Sequence, residues 1–128
     1  MGNSIKRVAC VLLVNHQGKI LGVSRGPGSE LFGLPGGEVE SGETDEEAAI
    51  RETMEETGLV ISNLRVLYAN YSVDPTGAKR WVTTFAADWQ GVPRPSHEGD
   101  VRWIDVDKLL SGPFAVYSHG LLKSLGII

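Results

Sequence analysis

Glu52, Glu55 and Glu56 form the densest chemical signal in the chain. On a helix, positions i, i+3 and i+4 share one face within a single turn. At 100° per residue their directions fall in an arc of about 100°. Ionised carboxylates that close repel one another by about 1 kcal/mol per pair in water-like surroundings, and by more where water is thin. A helix face shaped only for solubility would intersperse lysine. Residues 38–56 instead hold nine acids and a single base, Arg51. Closely spaced oxygen anions are the donor set preferred by a hard divalent cation such as Mg²⁺ or Mn²⁺.

The elements that must position these groups can be read from local signals. Thr44 with Glu47 three residues on is a capping-box pattern. Asp45, Glu46 and Glu47 suit the positive end of a helix dipole, and Gly58 suits a left-handed helix stop. A helix over residues 44–57 is therefore expected, with Ile50, Thr53, Met54 and Thr57 across from the carboxylates and facing the core. Residues 5–14 are apolar and valine-rich, which predicts a buried strand. Asn15-His16-Gln17-Gly18 is a turn signal, so residues 19–24 are expected to return as the partner strand of a hairpin. Residues 31–37 predict a brief strand and a tight turn. Strands are expected over 59–71, with Ser62-Asn63 as an interruption, and over 80–89, joined by the turn Asp74-Pro75-Thr76-Gly77. A short strand over 101–104, a short helix over 105–110 and a terminal helix over 115–125 stopped by Gly126 complete the order. This order predicts one mixed α/β (α+β) domain over 1–128, with helices packed on a sheet.

Pro35-Gly36-Gly37, just upstream of the helix, lets the backbone turn sharply and present bare peptide groups to a metal or phosphate. Gly-Gly turns are common, so the pair gains meaning only from the residues downstream. Glu43, Arg51-Glu52, Glu55-Glu56 and Gly58-Leu59 succeed Gly37 at fixed spacing. The stretch GGEVESGETDEEAAIRETMEETGL resembles the signature box of the Nudix hydrolase family, of the MutT-like type. Thr53 departs from that pattern, because the family usually has an aliphatic residue there; slightly looser packing and an intact site are expected.

The resemblance implies a Nudix-type α/β/α sandwich with a mixed sheet. It implies one to three divalent ions, usually Mg²⁺ with Mn²⁺ possible, held by Glu52, Glu55, Glu56 and the Gly36 carbonyl. The late-loop acid Glu98 is the further candidate, as a ligand or as the base that activates water. Glu52 competes for the base role, and Arg51 is the third catalytic candidate, orienting a carboxylate or pairing with a structural Glu43. The implied reaction is cleavage of a phosphoanhydride in a nucleoside triphosphate, giving a monophosphate and pyrophosphate. ADP-ribose or a nucleotide sugar is the rival substrate class, and the short chain without an added dimerisation domain favours the triphosphate. For the rest of the nucleotide the candidates are Arg25 toward a phosphate, Phe32 and Tyr117 (with Trp81) stacking on a base, and His119 near where similar enzymes read the base. His16 reads as a turn residue, and His97 as a loop neighbour of Glu98.

Composition narrows the alternatives. The chain has 128 residues, a net charge of −4 and one cysteine. The charge argues against a nucleic-acid polymer as partner. No apolar run reaches the ~20 residues that span a bilayer, and residues 1–7 are polar rather than signal-like. A cytoplasmic monomer or homodimer without a membrane partner is the expectation. Cys10 cannot form an internal disulfide and reads as a buried core residue. Two readings without catalysis compete: a Nudix-fold nucleotide-binding module, and a plain α/β domain with a solvated acidic helix. The first usually lacks box carboxylates that are all present here.

Overall fold

A computed structural model describes residues 5–74 and 76–128; residues 1–4 of the polar N-terminus and Pro75 of the expected turn lie outside the described residues. Four strands form one sheet in the order β4 (Gly36–Glu38), β1 (Lys6–Val11), β6 (Lys79–Gln90), β5 (Val60–Val73). β1 runs parallel to β6 and antiparallel to β4. A second sheet has the order β3 (Phe32–Gly33), β2 (Ile20–Ser24), β7 (Val101–Ile104). Helix α1 (Asp45–Thr57) contacts β1, β4 and β5; α2 (Val106–Leu110) contacts α3 and β3; α3 (Ala115–Ser124) contacts β5 and α2. The mixed sheet with packed helices matches the expected class.

β1 explains the layering. Ala9 and Val11 join Ala48 and Ala49 of α1 in one apolar cluster. Cys10, one residue out of phase, packs with Val82, Tyr117 and Leu121 toward α3. A strand buried on both faces reads as a continuous apolar run rather than an alternation, as residues 5–14 do. Leu12, Ile20, Phe32, Ile104, Leu109 and Leu122 close a third cluster around the second sheet.

The expected hairpin of residues 5–14 with 19–24 does not form. β4 and β6 occupy both edges of β1, so β2 crosses to the second sheet and pairs with β3 and β7. Only the bridge between Val14 and Ile20 marks the return. The β5–β6 hairpin does form. Its register shifts between Ser62 and Arg65, where Asn63 takes a positive φ of 56°, at the interruption the sequence signals.

Helix α1 has the expected ends: Thr44 and Glu47 complete the capping box, and Gly58 stops the helix at φ 77° with its N–H bonded to the Met54 carbonyl. Its inward face meets expectation at Thr53 and Thr57 but not at Ile50 and Met54. Ala49, Thr53 and Thr57 lie on the buried row, while Ile50 and Met54 are 39 % and 44 % exposed. Adjacent residues differ by about 100° in direction, so this choice of row is a rotation toward the carboxylates. The row Ala48, Glu52, Glu56 then runs beside the buried row. Small alanines let the helix lie close to the sheet, which brings the acids against β4.

Thr53 is fully buried and its Oγ1 has no hydrogen-bond partner among the described residues. Its neighbour Thr57 is satisfied, donating to the Thr53 carbonyl at 2.7 Å and accepting from the Leu59 amide at 3.2 Å. An unpaired buried hydroxyl costs about 1–3 kcal/mol. Thr53→Val is therefore expected to raise stability by about 1 kcal/mol without loss of activity, measured as a higher urea midpoint at unchanged slope. Among the described residues, no helix is long and apolar enough to cross a membrane.

Candidate active site

Three carboxylates converge over the N-terminal end of β4. Glu52 and Glu56 come from one row of α1, and Glu98 comes from the loop between β6 and β7. Each can offer an oxygen such that all three lie within 4.8 Å of one another. The Gly36 amide donates to Glu56 Oε1 at 2.9 Å. Gly36 itself has φ 153°, and a Cβ there would lie 2.3 Å from the Ala9 carbonyl oxygen, so only glycine brings this amide so close to β1.

The cluster is electrostatically costly as it stands. Burial pushes the Glu56 carboxyl up to about 8; the Gly36 bond opposes this, and the charges of Glu52, Glu98 and Glu55 add to it. Glu52 is also raised, chiefly by burial, with Arg51 opposing and Glu55 and Glu98 adding. Glu52 and Glu56, partly desolvated and close to a third carboxylate, are the kind of pair whose charged form a shared cation stabilises. An all-oxygen set without sulfur or imidazole fits a hard divalent ion.

Arg51 braces this row. Its Nε and Nη2 hold Glu43 at 2.7 and 3.0 Å, its Nη1 lies 3.3 Å from both Glu52 and Glu55, and Nη2 also donates to the Glu38 carbonyl at 3.2 Å. The two-pronged bond to Arg51 holds the Glu43 carboxyl down at about 2. Glu43 is thus paired as expected. The donors of Arg51 are thus spent on oxygens of Glu43, Glu52, Glu55 and Glu38, contacts of the orienting and pairing kind that the sequence suggests for it. Glu55 lies outside the close triad; its side chain is 49 % exposed and held by Arg51.

Gly37 has a separate role. A Cβ on it would lie 2.3 Å from Glu52 Oε2 and 2.5 Å from its Cδ. Gly37→Ala must therefore swing the Glu52 carboxylate away, and turnover is expected to fall at least ~10-fold while the fold persists. Steady-state kinetics beside a thermal melt would check this.

The candidates for holding the rest of a substrate divide. Phe32 is fully buried, with the Arg102 guanidinium 4.7 Å above its ring, so it has no face to give a base. Tyr117 is 7 % exposed and its hydroxyl bonds with Thr84 at 2.7 Å, so it too is core rather than a stacking surface. Both corrections have one cause: the large rings close the clusters under α2 and α3. Trp81 is half-buried against Tyr71, ring centroids 4.8 Å apart. Arg25 is exposed, with its guanidinium 5.2 Å from the centre of the Phe114 ring. Phe114 lines an open groove of about 300 Å³ with Tyr71, Val73, Pro113 and Val116. Val116 continues into a second groove of about 330 Å³ that His119 lines with Leu110. Sequence reasoning missed Phe114, whose only signal is an apolar residue left exposed just before α3.

Comparison with known proteins agrees with this geometry. The family profile described as NUDIX domain matches residues 4–125. An oxidized purine nucleoside triphosphate hydrolase of Danio rerio is 36 % identical, the match covering 81 % of this chain and 69 % of that protein. An 8-oxo-dGTP diphosphatase of Haemophilus influenzae is 32 % identical, covering 98 % of this chain and 94 % of that one. The crystal structure of a MutT NUDIX hydrolase from Burkholderia pseudomallei superposes with a TM-score of 0.79 at 25 % identity, covering 96 % of this chain and 99 % of that chain. The box residues, the carboxylate triad they build and the match over nearly the whole chain lead to one conclusion: this protein belongs to the NUDIX domain family and is a hydrolase of that family.

Proposed function

We propose that the chain hydrolyses a purine nucleoside triphosphate to its monophosphate and pyrophosphate, with oxidised purines as the first substrates to test. The observation that carries the reading is the convergence of Glu52, Glu56 and Glu98 within 4.8 Å. The activities for which the zebrafish and Haemophilus relatives are named support the choice of substrate. The open groove lined by Tyr71 and Phe114 offers apolar and aromatic surface to a base, and the Arg25 guanidinium packs on the Phe114 ring.

Glu52, Glu56 and Glu98 would hold Mg²⁺, or Mn²⁺ in its place, with the Gly36 carbonyl and Glu55 as additional ligands. When bound, such an ion neutralises non-bridging phosphate oxygens and makes water more acidic. The protein's own groups divide the remaining work. Glu56 is fixed by the Gly36 amide and Glu52 is steadied by Arg51. The Glu98 carboxylate has no protein partner among the described residues, so its oxygen not turned to the ion would be available to orient a water and take its proton. The water oxygen bonds to phosphorus as the anhydride P–O bond breaks, and the leaving phosphate departs with the electron pair. His119 and Arg25 contribute to holding the nucleotide. A single domain acting in the cytoplasm as a monomer or homodimer belongs to the same reading.

Incubation with a panel of nucleotides in Mg²⁺ and Mn²⁺, both products identified, tests this. Pyrophosphate with a nucleoside monophosphate is the expected pair. Two monophosphates from ADP-ribose or a nucleotide sugar would replace the substrate class. Binding without turnover would leave a non-catalytic module.

A further inference from the structure

Glu98 raises a question that the triad itself does not answer. Its side chain has no protein partner among the described residues, yet its carboxylate comes within 4.8 Å of Glu52 and Glu56. Its position must therefore come from its backbone. That backbone is a tight turn. Ser96 and Gly99 exchange N–H···O=C bonds of 3.3 and 3.2 Å, and the Glu98 amide donates to Ser96 Oγ at 3.1 Å.

The turn is seated on Ser24, the last residue of β2 and only 4 % exposed. The Ser24 amide donates to the Asp100 carbonyl at 2.9 Å. The Ser24 hydroxyl accepts from the Asp100 amide at 2.8 Å and donates to the Gly26 carbonyl at 2.8 Å. Asp100 Oδ2 in turn accepts from the Gly28 amide at 3.1 Å. Gly99 lies so close that a Cβ on it would come 2.4 Å from the Ser24 carbonyl oxygen. One buried hydroxyl thus joins the Glu98 turn and the loop 25–28, and Asp100 joins them again.

We propose that Ser24 and Asp100 are positioning residues that hold Glu98 in reach of Glu52 and Glu56. The proposal rests on the triad being the metal site. Without the Ser24 hydroxyl, the Asp100 amide and the Gly26 carbonyl each lose a partner. The turn is then free to shift, and a shift of a few tenths of an ångström matters to a small divalent ion that demands regular geometry.

The experiment is a double-mutant cycle between Ser24→Ala and Glu98→Gln. It reads Mn²⁺ affinity by calorimetric titration without nucleotide, and turnover in parallel. Partners that orient metal ligands are worth ~10–100-fold in affinity or activity, so Ser24→Ala should weaken Mn²⁺ binding ~10-fold and lower kcat by a similar factor. In the Glu98→Gln background the same substitution should change Mn²⁺ affinity less than about twofold, because the two act as one unit. An unchanged affinity in Ser24→Ala, or an equal loss in both backgrounds, would overturn the proposal. Should Ser24→Ala lack a cooperative melt, Asp100→Ala takes its place in the cycle under the same criteria. If Glu98→Gln alone leaves Mn²⁺ binding and turnover at the level of the unaltered protein, the assignment of the triad fails, and the positioning role fails with it.

Discussion

Glu56→Gln is expected to abolish all but roughly one part in a thousand of turnover while making the metal-free protein more stable. The loss comes from removing a charged ligand at the centre of the triad. Charge stabilisation by a bound ion is worth several kcal/mol, and each 1.36 kcal/mol is tenfold in rate. The gain comes from the same charge. Glu56 is mostly buried beside Glu52 and Glu98, and its carboxyl is raised from 4.5 to about 8. The folded state thus binds a proton that the unfolded chain releases near 4.5. The associated stability is complete below that value and is lost as pH rises through about 8. Glutamine keeps an oxygen for the Gly36 amide and never ionises. In the presence of a chelator, urea melts at pH 6 and pH 9 should show the unaltered protein losing about 2–4 kcal/mol more than Glu56→Gln across that interval. Saturating Mg²⁺ should remove the difference, because the ion stabilises the ionised form. A variant both inactive and less stable than the parent at pH 9 would speak for a structural role instead.

Arg51→Ala is expected to lower kcat by ~100-fold and leave KM for the nucleotide nearly unchanged. The guanidinium donates to Glu43, Glu52, Glu55 and the Glu38 carbonyl, and none of its contacts is directed at a substrate. Its removal sets three acids on α1 and its approach against one another and frees Glu52 to turn away. Lysine should not restore the rate. An ammonium cannot hold Glu43 with two parallel bonds while also reaching Glu52 and Glu55. A rise in KM as large as the fall in kcat would place Arg51 on the nucleotide and contradict the positioning role.

The parts of this site legible in the sequence are those built by near neighbours. Thr44, Glu47 and Gly58 mark the ends of α1, and the spacing of Glu52 and Glu56 fixes them on one row, because a helix is a local structure. Which row faces the sheet is not local. Ile50 and Met54 are more apolar than Ala49 and Thr53, yet the small residues face inward because they let the helix approach β1 and β4. Residues 19–24 have the pattern of a partner for residues 5–14, but β4 and β6 compete for the same edges. Phe32 and Tyr117 offer aromatic rings, and only the packing under α2 and α3 decides that those rings are core. The seat of Glu98 is the part least visible in the sequence, since Ser24 and Asp100 are 76 residues apart in the chain.

The most direct measurement is anomalous diffraction from crystals equilibrated with Mn²⁺. A peak about 2.1 Å from oxygens of Glu52, Glu56 and Glu98 is expected, and it should vanish in Glu56→Gln. Occupied manganese elsewhere on the protein with those three side chains empty, in crystals of an enzyme that still turns over, would contradict the assignment.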